Sequence, residues 1–181
     1  VYDEHGFRVI LDYGHNEAAV GAVVDVVERL NPLGKRIVCV TCPGDRRDED
    51  VEAIAAKVAG KFDLYICHRD DNVRGREADE IPRLMREALM KFGVGDSQIQ
   101  IVPEETEAVE TALKLARHDD LVLIFCEGIT RCWKKIIYFK PEGVTEGRKA
   151  EAPRIREIAF DVPEGFRIVA DERGVLLAPT E

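Results

Sequence analysis

The chain has 181 residues, of which 45% are hydrophobic and 34% are charged, a composition that predicts one well-buried soluble domain. Its net charge of -9 weighs against a nucleic-acid partner, because such binding relies on a surplus of Lys and Arg. No apolar run approaches the ~20 residues that a membrane helix needs, and no charged-then-apolar leader opens the chain, so no membrane partner and a cytoplasmic location are expected.

From Phe7 to Phe139 the sequence alternates apolar runs with longer stretches of helical periodicity, the pattern of a largely parallel α/β sheet. The run LVLIF has no polar alternation, which indicates a sheet covered on both faces and hence a three-layer domain of five or six strands. The predicted strands are 8–11, 36–41, 64–68, 98–102 and 121–126. The predicted helices lie near residues 17–30, 48–60, 78–92, 105–117 and 129–138.

The composition changes after this first domain, 1–139. Residues 140–153 are rich in Gly, Pro and charge, which is typical of a linker or surface loop. Residues 154–181 form a β-rich tail with two or three short predicted strands and turns at 163–165 and 171–174. A hairpin on the sheet edge, a subunit contact and a small flap are all compatible with this tail.

The five cysteines lie mostly inside apolar runs, where a free thiol behaves as a small hydrophobe. Their odd number argues against a complete disulfide framework. Cys39 and Cys42 have zinc-like spacing, but residues three apart in a strand point to opposite faces, and no second Cys/His pair follows. The sequence therefore predicts no metal site.

Four predicted strands are followed directly by polar clusters, which are residues 12–16, 43–50, 69–76 and 127–131. In a parallel sheet these clusters meet at one edge, where ligands bind in open α/β sheets. Taken singly, each cluster is compatible with a turn or a helix cap. Asp48 and Asp70, for example, are residues of a type that is common at both positions. Several arginines beside several carboxylates suit a ligand that carries both charge signs. The sequence has no Gly-rich phosphate loop of its own.

The clusters resemble those of a known family. LDYGHNEAA resembles the D-Y-A-H-N-P signature that opens the carboxyl-terminal domain of the Mur ligases, which are ATP-dependent amino-acid ligases. PGDRRDED, RDDNVRGR and IFCEGITR, in this order, narrow the resemblance to the cyanophycin synthetases within that family, over residues 1–139. The resemblance implies a Rossmann-like domain that closes over ATP and magnesium held by a central domain. It also implies a carboxylate activated as an acyl phosphate, from which an incoming amine displaces phosphate to form an amide or isopeptide bond.

The resemblance also implies roles for individual residues. Asp12 is expected to contact the ATP ribose and His15 to lie near the nucleotide or its phosphates, with His15 and Arg46 as the catalytic candidates. The candidates for binding the incoming amino acid, with arginine or aspartate as the expected substrate, are Arg47, Asp71, Arg74, Glu127 and Arg131. The sequence departs from the family pattern at Gly14, Glu17, Asn72 and Val73.

The leading interpretation is that the chain is a domain of a longer ligase and is inactive alone. Its expected partners are the upstream domains, ATP and an amino acid, and a homo-oligomer is left open. Two other interpretations stay open beside it. The main alternative is a non-catalytic binding or interaction module that retains this fold. A flavodoxin-like or other nucleotide-binding domain follows from fold analogy alone.

Overall fold

The computed structural model describes residues 1–140 and the backbone of residues 166–171 and 174–179. Strands and helices alternate through the first part, and their bounds agree with the predicted ones within two residues. The elements are β1 (Arg8–Asp12), α1 (Glu17–Leu30), β2 (Arg36–Val40), α2 (Asp48–Val58), β3 (Leu64–Cys67), α3 (Glu80–Lys91), β4 (Ile99–Ile101), α4 (Glu105–Leu115), β5 (Leu121–Phe125) and α5 (Ile129–Tyr138).

The first five strands form one parallel sheet in the order β1-β5-β2-β3-β4. The strand β5 therefore lies between β1 and β2, and Leu121 is in register with both Arg8 and Arg36. Every residue of β5 is buried, as its continuous apolar sequence predicts. The expected Rossmann-like α/β fold is confirmed.

Two apolar cores cover the two faces of the sheet, which gives the domain three layers. Along β2, Val38 and Val40 belong to one core, whereas Ile37 and Cys39 belong to the other, because successive strand side chains point to opposite faces. All five cysteines are buried free thiols, as predicted. No helix in the described part of the chain is long and apolar enough to cross a membrane.

Local capping fixes both ends of α1. The Asn16 side chain accepts a hydrogen bond from the Ala19 N–H at 3.0 Å, which satisfies one of the free donors of the first turn. At the other end Asn31 adopts a left-handed conformation with φ of 41°, a conformation that Asn tolerates better than most residues. The start of α1 therefore holds the polar residues after β1 in place.

The tail contains two strands, β6 (Phe166–Asp171) and β7 (Gly174–Pro179), which pair antiparallel. The β-rich character of the tail is thus confirmed. The predicted linker beyond Lys140, the turn at 163–165 and the centre of the turn at 171–174 lie outside the described residues.

Candidate functional site

The loops after β1, β2, β3 and β5 meet at the carboxyl edge of the sheet and line one cavity of about 100 Å³. The four polar clusters thus converge as the parallel sheet requires. This cavity, called the edge cavity below, has room for about three water molecules, the size of one charged group. Its lining comprises Tyr13, Gly14, His15, Thr41, Pro43, Arg46, Asp70, Arg74, Cys126 and Glu127.

Arg74 joins two of these loops through its guanidinium. It donates to Asp45 Oδ1 at 3.1 Å and to Glu127 Oε1 at 3.1 Å, and these hydrogen bonds raise the pKa of Arg74. Its backbone has φ of 50°, a conformation that an L-residue adopts at some cost. The Asn72 side chain supports it by accepting from the Arg74 N–H at 3.0 Å. The loop therefore holds the guanidinium at the mouth of the cavity.

Arg76 fastens the loops after β2 and β3 to each other. Its guanidinium donates to the carbonyls of Gly44 at 2.9 Å and Arg46 at 2.6 Å, and to Asp48 Oδ1 at 2.8 Å. A Cβ at Gly44 would lie 2.2 Å from the Val73 carbonyl oxygen, so the close approach of the two loops requires glycine. Sequence reasoning placed Arg76 in a cluster but did not identify this role.

Glu105, in the first turn of α4, anchors the loop after β5. Its fully buried carboxylate accepts from the N–H of Glu127 at 2.6 Å, the N–H of Gly128 at 3.2 Å and Arg131 Nε at 2.8 Å. Burial alone would raise the pKa of Glu105, but these hydrogen bonds and one from Cys132 bring it below its ordinary value. The sequence showed Glu105 only as a helix start, because its partners lie more than twenty residues away.

Arg131 and Asp71 pair with each other and do not line the edge cavity. The Arg131 guanidinium donates to Asp71 Oδ2 and to Glu105, and these partners raise its pKa. The pKa of Asp71 is lowered by the same hydrogen bond. Both residues therefore lie beside the site in a salt bridge that links the loop after β3 to the first turn of α5.

Asp12 and His15 lie at the end of β1, as predicted. Asp12 Oδ1 accepts from the Gly14 N–H at 2.6 Å, and a Cβ at Gly14 would lie 2.9 Å from that oxygen. His15 Nδ1 is 3.3 Å from the Tyr13 carbonyl oxygen. His15 and Arg46 line both the edge cavity and an adjoining cavity of about 270 Å³ between the starts of α1 and α2. The Arg46 guanidinium pairs with no carboxylate among residues 1–140.

Arg47 is the predicted site residue that the structure does not bring to the others. Its side chain is 75% exposed and pairs with Asp50 at 3.0 Å and with Glu49 at 3.9 Å, both at the start of α2. It lines neither the edge cavity nor the adjoining one. Its contacts are those of a solvated helix start.

Asp70 lies in the wall of the edge cavity although it is only 5% exposed. Thr41 Oγ1 donates to its Oδ1 at 3.4 Å. Burial, with the charge of Glu127, raises the pKa of Asp70 to about 6. The sequence placed Asp70 in the third cluster as a possible turn residue; its burial beside Glu127 follows from the strand order, which the sequence does not reveal.

One group of metal-ligating side chains occurs in residues 1–140. Atoms of Glu105, Cys126 and Cys132 lie within 4.8 Å of one another. Thiols do not suit Mg²⁺, which binds oxygen ligands, and Arg131 already neutralises Glu105. This group therefore does not fit the magnesium that accompanies ATP.

Comparisons with known proteins identify sequences similar to this chain. The family model described as Mur ligase, glutamate ligase domain, matches residues 1–128. A cyanophycin synthetase from Geminocystis herdmanii is 36% identical over 130 residues, which are 72% of this chain and 14% of that protein. A UDP-N-acetylmuramoyl-L-alanyl-D-glutamate--2,6-diaminopimelate ligase from Parabacteroides distasonis is 28% identical over 123 residues, 68% of this chain and 25% of that protein. The chain thus spans a small part of the length of these relatives.

Solved structures share the fold. A UDP-N-acetylmuramoyl-L-alanyl-D-glutamate--2,6-diaminopimelate ligase superposes with a TM-score of 0.60 at 17% identity, covering 76% of this chain and 30% of that one. Escherichia coli FolC in complex with ADP superposes with a TM-score of 0.56 at 19% identity, with the same two coverages. At these identities the likeness concerns the fold alone.

Proposed function

Because the chain belongs to the Mur ligase family through its glutamate ligase domain, we propose that it receives the incoming amino acid in an ATP-dependent carboxylate–amine ligase. The reaction is the formation of an amide or isopeptide bond through an acyl phosphate. The expected amino acid is arginine or aspartate, and the 36% identity to a cyanophycin synthetase supports this choice.

The observation that carries the proposal is the mixture of charges around the edge cavity. Arg46 and Arg74 face it together with the carboxylates of Asp70 and Glu127. A free amino acid carries a carboxylate and an ammonium, and guanidinium and carboxylate groups are their complementary partners. A cavity of about 100 Å³ encloses the charged end of such a substrate and leaves its remainder toward the solvent side.

ATP and its magnesium are assigned to another domain of a longer chain. His15 lines the edge cavity, and Asp12 is hydrogen-bonded to the cavity-lining Gly14. The proposal gives the Asp12 carboxylate the ribose hydroxyls and the His15 imidazole the phosphates. No phosphate loop occurs in this sequence, and the one metal-ligating group among residues 1–140 does not fit magnesium. The protein's contribution here is positioning and charge stabilisation of the reacting groups.

The test is amino-acid-dependent phosphate release by the full-length protein that carries this chain. Arginine, aspartate and lysine are the incoming amino acids, and a synthetic aspartate oligomer and UDP-N-acetylmuramoyl-L-alanyl-D-glutamate are the acceptors. We expect release with at least one pair and no ATP hydrolysis by the 181-residue chain alone. Absence of release with every pair would contradict the ligase and favour the non-catalytic module.

Variants then test the site. Arg74→Ala removes a guanidinium whose charge-assisted hydrogen bonds are worth about 1.5 to 3 kcal/mol each, so kcat/KM for the amino acid should fall roughly 10- to 100-fold. Asp12→Ala should raise KM for ATP. The matched control is Arg83→Ala, which removes an exposed arginine of α3 that pairs with Glu77 before the helix, and it should leave both constants unchanged.

A further inference from the structure

The carboxylates at the carboxyl edge of the sheet differ in whether they have a close hydrogen-bond donor or cation as a partner. Asp12 accepts from the Gly14 N–H, Glu127 pairs with Arg74 and Asp71 pairs with Arg131. Asp45 also binds Arg74, and Glu105 binds Arg131. Asp70 is the exception, because within residues 1–140 its side chain has only the long hydrogen bond from Thr41.

An ionised carboxylate that is buried without a cation is unfavourable, because desolvation opposes its charge. The neighbouring guanidiniums do not offset this cost through contact. Arg74 is directed to Asp45 and Glu127, and Arg69 donates from its guanidinium to Glu104 and to the Asp70 carbonyl oxygen. The edge cavity therefore presents one unpaired buried carboxylate that a small cation would stabilise.

We propose that the Asp70 carboxylate binds the ammonium of the incoming amino acid and accepts its proton. The proposal rests on the ligase function proposed above and adds the group that activates the amine. An ammonium is small enough for the edge cavity and supplies the missing positive charge. An ammonium has no lone pair, so it must lose a proton before its nitrogen can attack an acyl phosphate.

The amino acid displaces phosphate from the acyl phosphate after one proton transfer. One proton passes from the ammonium to the Asp70 carboxylate, which leaves a lone pair on nitrogen. The nitrogen forms a bond to the acyl carbon, and the carbon–oxygen bond to the phosphate breaks. The second proton passes from nitrogen to the departing phosphate, and Asp70 returns its proton to water.

The electrostatic surroundings suit a proton acceptor near neutral pH. A pKa of about 6 leaves Asp70 ionised at pH 7 and still basic enough to take a proton from a bound ammonium. Glu127 and Glu105 raise this pKa, whereas Arg74 and the Thr41 hydroxyl lower it. The polar and titratable groups that face Asp70 or share the cavity with it are Thr41, Cys42, Arg74, Glu105, Glu127, Tyr13, His15, Arg46 and Cys126.

The experiment compares two nucleophiles in the full-length protein. Hydroxylamine, which is neutral at the assay pH, captures the acyl phosphate as a hydroxamate and needs no proton acceptor. We expect Asp70→Asn to form hydroxamate within about 3-fold of wild type and to lose about 100-fold in kcat/KM for the amino acid at pH 7. The control Asp25→Asn makes the same change on the exposed surface of α1 and should match wild type in both reactions.

The pH profile separates proton transfer from a structural role. The wild-type kcat/KM for the amino acid should fall below about pH 6, as Asp70 becomes protonated. The hydroxylamine reaction should lack this limb when its rate is expressed per concentration of neutral hydroxylamine, because hydroxylamine itself gains a proton in the same pH range. With Asp70→Asn the rate should rise about 10-fold per pH unit below the pKa of the amine, as free amine forms in solution.

Three outcomes would overturn the inference. They are an Asp70→Asn rate with the amino acid near that of wild type, an equal loss of hydroxamate formation, and a wild-type profile without the limb near pH 6. The last of these applies even if Asp70→Asn does not fold. Wild type that forms neither hydroxamate nor ligated product would instead contradict the ligase function itself.

Discussion

The unpaired state of Asp70 has a measurable cost in stability. Its folded-state pKa of about 6 lies above its ordinary value of 3.8, so between these values the folded protein holds more protons than the unfolded chain. The free energy of unfolding therefore falls as pH rises through this window. Since a tenfold change in a protonation equilibrium is worth about 1.4 kcal/mol, the penalty above pH 7 is on the order of 2 to 3 kcal/mol.

Asp70→Asn should remove this penalty. At pH 8 we expect the free energy of unfolding of the variant, measured by urea denaturation, to exceed that of wild type by roughly 2 kcal/mol. At pH 4, where Asp70 is protonated in folded wild type, the two free energies should be similar. Asp25→Asn, on the exposed face of α1, is the control and should show no such divergence with pH. Equal stabilities of Asp70→Asn and wild type at pH 8 would show that the carboxylate is well stabilised in the fold.

At the scale of the elements, α1 depends on the residue that caps its start. The hydrogen bond from the Ala19 N–H to Asn16 Oδ1 at 3.0 Å is lost in Asn16→Ala, which should reduce the free energy of unfolding by about 1 kcal/mol in urea denaturation. Asn16→Asp keeps the acceptor oxygen and should stay within a few tenths of a kcal/mol of wild type. If Asn16→Asp lost as much stability as Asn16→Ala, the destabilisation by Asn16→Ala would not be due to the lost capping hydrogen bond.

The sequence predicted the elements well because each one follows from local periodicity. The continuous apolar run from Leu121 to Phe125 and the helical spacing after Asn16 needed no tertiary information. The helix ends moved by up to two residues, since the last turn of a helix depends on capping contacts.

The site was predicted less completely, because its geometry depends on pairings between distant segments. The convergence of the four loops follows from a parallel sheet, and the structure has it. The roles of Glu105 and Arg76 depend on backbone groups of other loops, and no sequence pattern marks an acceptor of that kind. Arg47 shares its segment with Arg46 but lies on the solvent side of the helix start.

At the scale of the whole molecule, the five buried thiols report on the global fold. Burial raises the pKa of Cys42 and Cys67 to about 12 and that of Cys39 further, and the thiolate is the reactive form. All five cysteines lie within the two cores or directly beside them. Cys126 lines the edge cavity but is only 3% exposed. Reaction of any of the five thiols with a reagent therefore requires at least a local opening of the domain.

We expect Ellman's reagent to label the native chain at least about 10³-fold more slowly than free cysteine, as the unfolding equilibrium of a stable domain requires. In guanidinium chloride the reagent should detect all five thiols at once. Labelling of one thiol within seconds under native conditions would reveal a local opening and identify the segment that opens.

The position of β5 between β1 and β2 sets the order of events when the chain is made. Arg8 pairs with Leu121, 113 positions further along the chain. At about 5 to 20 residues per second, β1 leaves the ribosome roughly 6 to 23 seconds before its only partner strand in the five-stranded sheet. Throughout that interval an apolar strand has no edge to join, whereas β2 and β3 can already pair. Translation speed and chaperone access during those seconds therefore bear on the yield of folded protein.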